Sequence, residues 1–216
     1  MNQISKIIFL IFLLSKVNYA QNQDQEAKSL LDEVNSKINS YNNIQISFQY
    51  VLENEDEFIR QETFGELSIN QNKYVLEVLG ITRIFDGSKL YTISKDDEEV
   101  TISSNISQDE NTILPNNLLN FFENGYNFKL DILQNKFGRD IQYIKFTPID
   151  SNSEISYILL GIDLKTKHIY NLIEIGKNST KSTITILNFN STIELEKSFF
   201  NFNKSDYPDY YINKID

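Results

Sequence analysis

Hydrophobic positions along the chain follow two periods, and the change from one to the other marks the first structural boundary. Ala27, Leu30, Leu31, Val34 and Ile38 recur at helical spacing, with Asp24 and Glu26 in front, Lys37 near the back and Asn42-Asn43 as a stop. The spacing predicts one amphipathic helix. Ile44, Ile46, Phe48, Tyr50 and Leu52 then alternate with Gln45, Ser47 and Gln49, the period of a strand with a single apolar face. The acidic run Glu53, Glu55, Asp56 and Glu57 predicts a turn. From there strands follow one another over 58–69, 73–79, 82–85, 90–94 and 99–103. Asn70-Gln71-Asn72, Gly80, Asp86-Gly87 and Lys95-Asp96-Asp97 separate them, and Asp86-Gly87 is the strongest hairpin signal in the chain.

The pattern breaks at Pro115. Leu118, Leu119, Phe121 and Phe122 lie between that proline and Gly125, which predicts a short apolar helix with Pro near its start and Gly just past its end. So wide an apolar stripe fits either a fully buried core helix or a lid whose second face meets an apolar ligand. Strands resume at 126–132, 141–147, 155–163, 168–175 and 183–189, joined by hairpin-length turns. The expected fold is mainly β with α: a large curved sheet or open barrel of about ten or eleven antiparallel strands, its concave apolar face covered by the two helices.

Ahead of this domain, Lys6 precedes the apolar run Ile7 to Leu14, and Val17-Asn18-Tyr19-Ala20 closes the segment. Residues 1–20 read as a signal peptide cut after Ala20, leaving 21–216 as a single domain and predicting export to the periplasm. No Cys follows the apolar run, so no lipobox anchor is expected. Loss of Lys6 and Lys16 leaves 18 basic against 30 acidic residues, a formal charge of −12 instead of −10.

Composition narrows the chemistry. The chain has no Cys and one His, which excludes a disulfide framework, a thiol nucleophile and a thiolate or His-rich metal cage. A pI near 4.7 lacks the basic footprint of a nucleic-acid binder. His168 has no nucleophile-elbow motif to serve, and its expected place is a solvent-facing strand edge. Asp96-Asp97-Glu98-Glu99 lacks the alternating ligands and Gly of a calcium loop and is expected to be a solvated turn. Neither an enzyme activity nor a cofactor is predicted. Apolar surface is what remains, and acyl chains suit it because burial contributes about 0.8 kcal/mol per methylene without directional partners.

Four segments in this order, Gln61 to Leu67, Ile84 to Tyr91, Asn111 to Tyr126 and Tyr143 to Gly161, give the chain a further meaning. Across about Ala27 to Phe202 it resembles the periplasmic outer-membrane lipoprotein carrier (LolA) family, in its Bacteroidetes-like form. The resemblance implies a half-open antiparallel β-barrel closed by a helical lid, and a carrier that receives lipoproteins from an inner-membrane ABC-type release complex and takes them across the periplasm, with an outer-membrane acceptor as a further candidate partner. A monomer is expected. The resemblance also implies that acyl chains lie between sheet and lid, against Leu30, Leu31, Val34, Ile46, Phe48, Tyr50, Leu67, Ile69, Leu76, Leu118, Leu119, Phe121 and Phe122. A lipid-binding or lipid-sensing module on the same fold is the alternative. One position departs from the family: where proteobacterial members have a Lys-Arg-Pro turn whose Arg holds the lid, this chain has Asn70-Gln71-Asn72-Lys73. Lysine lacks the planar fork of arginine, so that role is not carried over.

Overall fold

The computed structural model describes residues 25–104 and 125–215. The predicted signal segment and the apolar helix carrying Leu118, Leu119, Phe121 and Phe122 lie outside the described residues. Helix α1 (25–39) is followed by β1 (Asn43–Asn54), β2 (Ile59–Asn70), β3 (Lys73–Val78), β4 (Ile81–Phe85), β5 (Leu90–Ser94) and β6 (Glu99–Ser103). Then come β7 (Tyr126–Lys136), β8 (Arg139–Pro148), β9 (Ile155–Asp163), β10 (Ile169–Gly176), β11 (Thr180–Asn190) and, after two short 3-10 turns, β12 (Tyr211–Ile215).

All twelve strands form one sheet in the order β12-β6-β5-β4-β3-β2-β1-β11-β10-β9-β8-β7. Two meanders are therefore joined at a single seam, where β1 pairs antiparallel with β11 from Gln45↔Asn190 to Asn54↔Thr180. Every pairing is antiparallel except β12 on β6. The sheet does not close on itself among the described residues: β12 and β7 are its two edges. The expected count of ten or eleven strands is short by β12, whose five residues follow a stretch with no clear alternation.

Register sorts the side chains into two faces, because directly opposed residues in a ladder point the same way. Ala27, Leu30, Leu31 and Val34 of α1 are buried against Ile144, Phe146, Ile158, Leu160 and Ile162 of β8 and β9. Helical spacing thus does what the sequence predicts, and it does it on the second meander only. On the same face, the first meander carries its own cluster of Tyr74, Phe85 and Leu90, with Leu67, Ile69 and Leu76 packed around it.

The opposite face of the first meander is covered too, by a segment whose packing the sequence did not reveal. Leu195, Phe200, Phe202, Tyr207 and Tyr210 lie over Val75, Ile84, Ile93 and Val100. Phe202 stacks between Tyr91 and Tyr207 at 4.7 and 5.5 Å. Tyr74-Val75-Leu76 is apolar without a break for this reason: both of its faces are buried.

Local chemistry fixes the hairpins. At the β4–β5 turn, Asp86 Oδ1 accepts from the N–H groups of Ser88 and Lys89, both at 2.8 Å, while Gly87 takes a φ of 96°. At the β9–β10 turn, buried Asp163 accepts from Lys165 N, Thr166 N and Arg139 Nε. Burial alone would raise the Asp163 carboxyl, but those three donors outweigh it and hold the group below its ordinary value.

Phe200 is 1% exposed and anchors the C-terminal cover. Phe200→Ala is expected to cost about 3 to 5 kcal/mol in urea unfolding. A loss under about 1 kcal/mol would show that the cover contributes little to the fold.

Candidate functional site

The face that carries α1 holds every predicted acyl-chain residue that lies within the described region. Leu30, Leu31 and Val34 are there as core: they are buried against β8 and β9. Ile46, Phe48 and Tyr50 stand on β1 opposite Leu67, Gly65 and Thr63 of β2, and Leu67 is in turn opposite Leu76 of β3. Ile69 is opposite Tyr74 on the same face. The structure therefore brings Ile46, Phe48, Tyr50, Leu67, Ile69 and Leu76 onto one surface and assigns the helical trio to the floor of its neighbour.

Phe48 reaches its place through a missing side chain. Its ring lies across Gly65, where a Cβ would stand 2.4 Å from Phe48 Cζ and 2.8 Å from the Glu77 carbonyl oxygen. Only glycine leaves β2 flat enough there for the phenyl ring.

Between the α1 cluster and the Tyr74 cluster lies the seam of the sheet. Ile46, Tyr50 and Leu52 of β1 face the same way as Ile184 and Ile186 of β11, through the pairs Phe48↔Ile186 and Tyr50↔Ile184. All five are half-buried, and none belongs to a buried cluster. The site is thus a strip of aliphatic and aromatic surface, about two strands wide, flanked by two packed cores. Ile184 and Ile186 were missed because their segment reads only as a further strand, and nothing in its sequence says it neighbours β1.

One charged group interrupts this face. Glu174 on β10 pairs with Ser182 and Ile158, which places it among the α1-facing residues. Its side chain is half-buried, and burial raises its carboxyl above the ordinary glutamate value. Its proximity also contributes, after burial, to raising the Tyr126 phenol. A lone Glu between Leu172 and Ile175 gives no sequence signal of this placement.

His168 is not the solvent-facing residue the sequence suggested. Its ring is half-buried, stacks on Phe189 at 3.9 Å and meets Tyr41 Oη through Nε2 at 2.9 Å. It ties the end of α1 to β10 and β11, and Lys167 adds an ion pair to Glu33 of α1 at 2.7 Å. Burial first, then Lys37 and Arg139, push its pKa down against the pull of Asp163. The acidic Asp96-Asp97-Glu98 turn is exposed, with Ser94 Oγ donating to Asp97 Oδ2 at 2.6 Å. Among the described residues no three His, Cys, Asp or Glu side chains gather where they would hold a metal, and no helix is long and apolar enough to cross a membrane.

No protein-family model and no curated protein matches the chain. Among solved structures, an uncharacterised conserved protein from Thermus thermophilus superposes with a TM-score of 0.62 at 10% identity, covering 88% of this chain and 99% of its own. That likeness shows a shared fold. The chain is also similar to a LolA superfamily protein from Nitrosomonas europaea, at a TM-score of 0.42 and 12% identity over 82% of this chain and 97% of that one. A third similar structure is the lipoprotein LppX of Mycobacterium tuberculosis, at 0.47 and 14% over 78% and 99%.

Two pH effects follow from the site. A carboxyl whose folded pKa is raised stabilises the fold below its unfolded value and loses that contribution as pH rises through the folded one. Glu174→Gln is therefore expected to melt higher than the parent at pH 7, with the gap closing below about pH 4.5; a lower melting point at pH 7 would mean that the carboxylate is held by partners. For His168 the folded pKa is lowered, so the unfolded chain binds the extra proton first, and stability falls as pH drops below about 6.5. The urea midpoint of the parent should fall more between pH 7.5 and pH 5 than that of His168→Gln, and equal falls would remove the histidine from the account.

Proposed function

We propose that the protein binds acyl chains on the α1-bearing face and carries lipoproteins through the periplasm. The observation that supports this reading is the strip at the seam: apolar residues from β1 and β11, half-buried and continuous, between two cores that do not merge across it. Such a surface recognises length and apolarity without directional bonds, at about 0.8 kcal/mol per buried methylene. Its residues are aliphatic and aromatic, which suits the binding of an apolar chain. The predicted signal segment, the acidic composition and the family resemblance of the chain's segments supply the setting.

In this reading an inner-membrane ABC-type complex hands over the lipoprotein, the chains lie along Ile46, Tyr50, Leu67, Leu76, Ile184 and Ile186, and Leu118, Leu119, Phe121 and Phe122, outside the described residues, are the further contacts that the resemblance implies. Glu174 lies on the same apolar face and disfavours a second apolar contact at that point, so the polar end of a cargo belongs near β10.

The test is release of lipoproteins from loaded inner-membrane vesicles into the soluble fraction by the purified protein. Release is expected, with triacylated protein seen in native mass spectrometry of the complex. Ile184→Asn should lower retention by about tenfold or more, since a buried amide without partners costs about 1 to 3 kcal/mol. No release overturns the carrier reading. Bound phospholipid without acylated protein would favour a lipid-binding or lipid-sensing module instead, and unchanged retention in Ile184→Asn would show that the strip is not the site.

A further inference from the structure

We infer that the protein pairs with a second copy of itself along the open part of β2, each copy placing Phe58 beside Phe64 of the other. This pairing uses the face away from α1 and does not rest on the function proposed above.

Strand β2 bonds to β1 along its whole length, from Asn54↔Ile59 to Asn43↔Asn70. On its other side β3 covers only Gly65 to Asn70, because β3 ends at Val78 and the chain turns back at Leu79-Gly80. Among the described residues no strand pairs with that side of Ile59 to Phe64. Six residues of backbone edge are left in the middle of the sheet order, the arrangement that other chains use for strand addition.

Two identical edges related by a two-fold axis meet antiparallel, and residues can pair only when their backbone groups point the same way, which makes the paired numbers sum to an even value. Four such registers are centred near the middle of the open stretch, and the one on Thr63 runs into Gly65 and Glu66, which already pair with β3. Centring on Arg60 opposes two arginines, and centring on Glu62 opposes two glutamates; both are unfavourable. Centring on Gln61 places Arg60 opposite the second copy's Glu62, twice. Within one copy Arg60 already bridges Glu53 and Glu62, the latter at 3.2 Å, so docking extends an existing ion-pair network. Exposed pairs of this kind choose the register and contribute little energy.

The energy comes from aromatic surface. Phe58 is 96% exposed and Phe64 is 60% exposed. In the Gln61-centred register residue 58 of one copy is opposite Phe64 of the other. Beside Phe64 lies a pocket of about 320 Å³ lined by Val78, Leu79, Glu66 and Leu187 among others. Leu79 and Leu187, 66% and 55% exposed, form its open rim. The register thus sets the protruding Phe58 at the end of the notch that carries the pocket, and the symmetry brings both copies of the pair together at once.

The experiment uses the absence of Cys in the chain. Gln61→Cys puts two thiols on the two-fold axis, within the Cα separation a disulfide accepts, whereas Thr63→Cys puts them about 14 Å apart. Mild oxidation is expected to cross-link Gln61→Cys and leave Thr63→Cys monomeric. Sedimentation of the purified protein from about 1 µM to about 1 mM should show a monomer–dimer equilibrium. Phe58→Asn keeps a residue that accepts the left-handed φ of 54° and should weaken pairing about tenfold or more. Arg60→Glu and Glu62→Arg should each weaken it, and the two combined should restore it. The proposal is overturned by a monomer at the highest concentration, by a dimer indifferent to Phe58→Asn and Arg60→Glu, or by equal cross-linking at 61 and 63. Should Phe58→Asn lose its far-ultraviolet circular dichroism signal, the cysteine pair still decides the matter.

Discussion

A sheet of twelve strands at about 4.8 Å spacing is roughly 55 Å across, while a helix with its side chains is about 10 to 12 Å wide. One helix laid on such a sheet covers two or three strands. That mismatch governs this protein. Helix α1 buries its apolar stripe on β8 and β9, with partial contact to β7 and β10, and can do no more. The remaining apolar surface finds other solutions: a C-terminal aromatic cover on the far face of β3 to β6, a self-packed cluster on the near face, and an incompletely covered strip at the seam. The candidate site is what a single described helix leaves behind.

Anchoring matters in such an arrangement, because a helix covering so little of a sheet has little to hold it in place. Tyr41, His168 and Phe189 pack as a three-ring cluster at the end of α1, and Glu33 meets Lys167 about two turns earlier. Asp163 fixes the β9–β10 turn that presents His168 and Lys167. A buried carboxylate, a half-buried imidazole and an ion pair thus set the helix's position relative to the strip, although none of them lines it.

Much of the fold was legible in the sequence because period two and turn chemistry are local. The β1 alternation, the Asp86-Gly87 hairpin and the helical spacing of Ala27 to Ile38 each appear where they were read. What is not local was lost. The five residues of β12 carry no strong alternation and owe their strand to β6, whose register they follow in parallel. Leu195 to Tyr210 shows no period because it covers a surface without forming a regular element. The site was half legible for the same reason: Ile46, Tyr50, Leu67 and Leu76 follow from alternation, but Ile184 and Ile186 join them only through the β1–β11 pairing, which links residues more than a hundred positions apart. Helical spacing identifies the apolar stripe of Leu30, Leu31 and Val34 but not the strands it meets, which are β8 and β9.

The seam has a kinetic meaning as well. Within each meander every strand pairs with its neighbour in sequence, so both halves can assemble through short loops. Asn54 and Thr180, by contrast, meet only after a closure spanning most of the chain, and β11 must be made before it can happen. The surface made jointly by β1 and β11 is therefore absent from any chain that has not yet reached β11, and from any in which the two meanders are folded but still apart. Neither half alone has the apolar strip to offer.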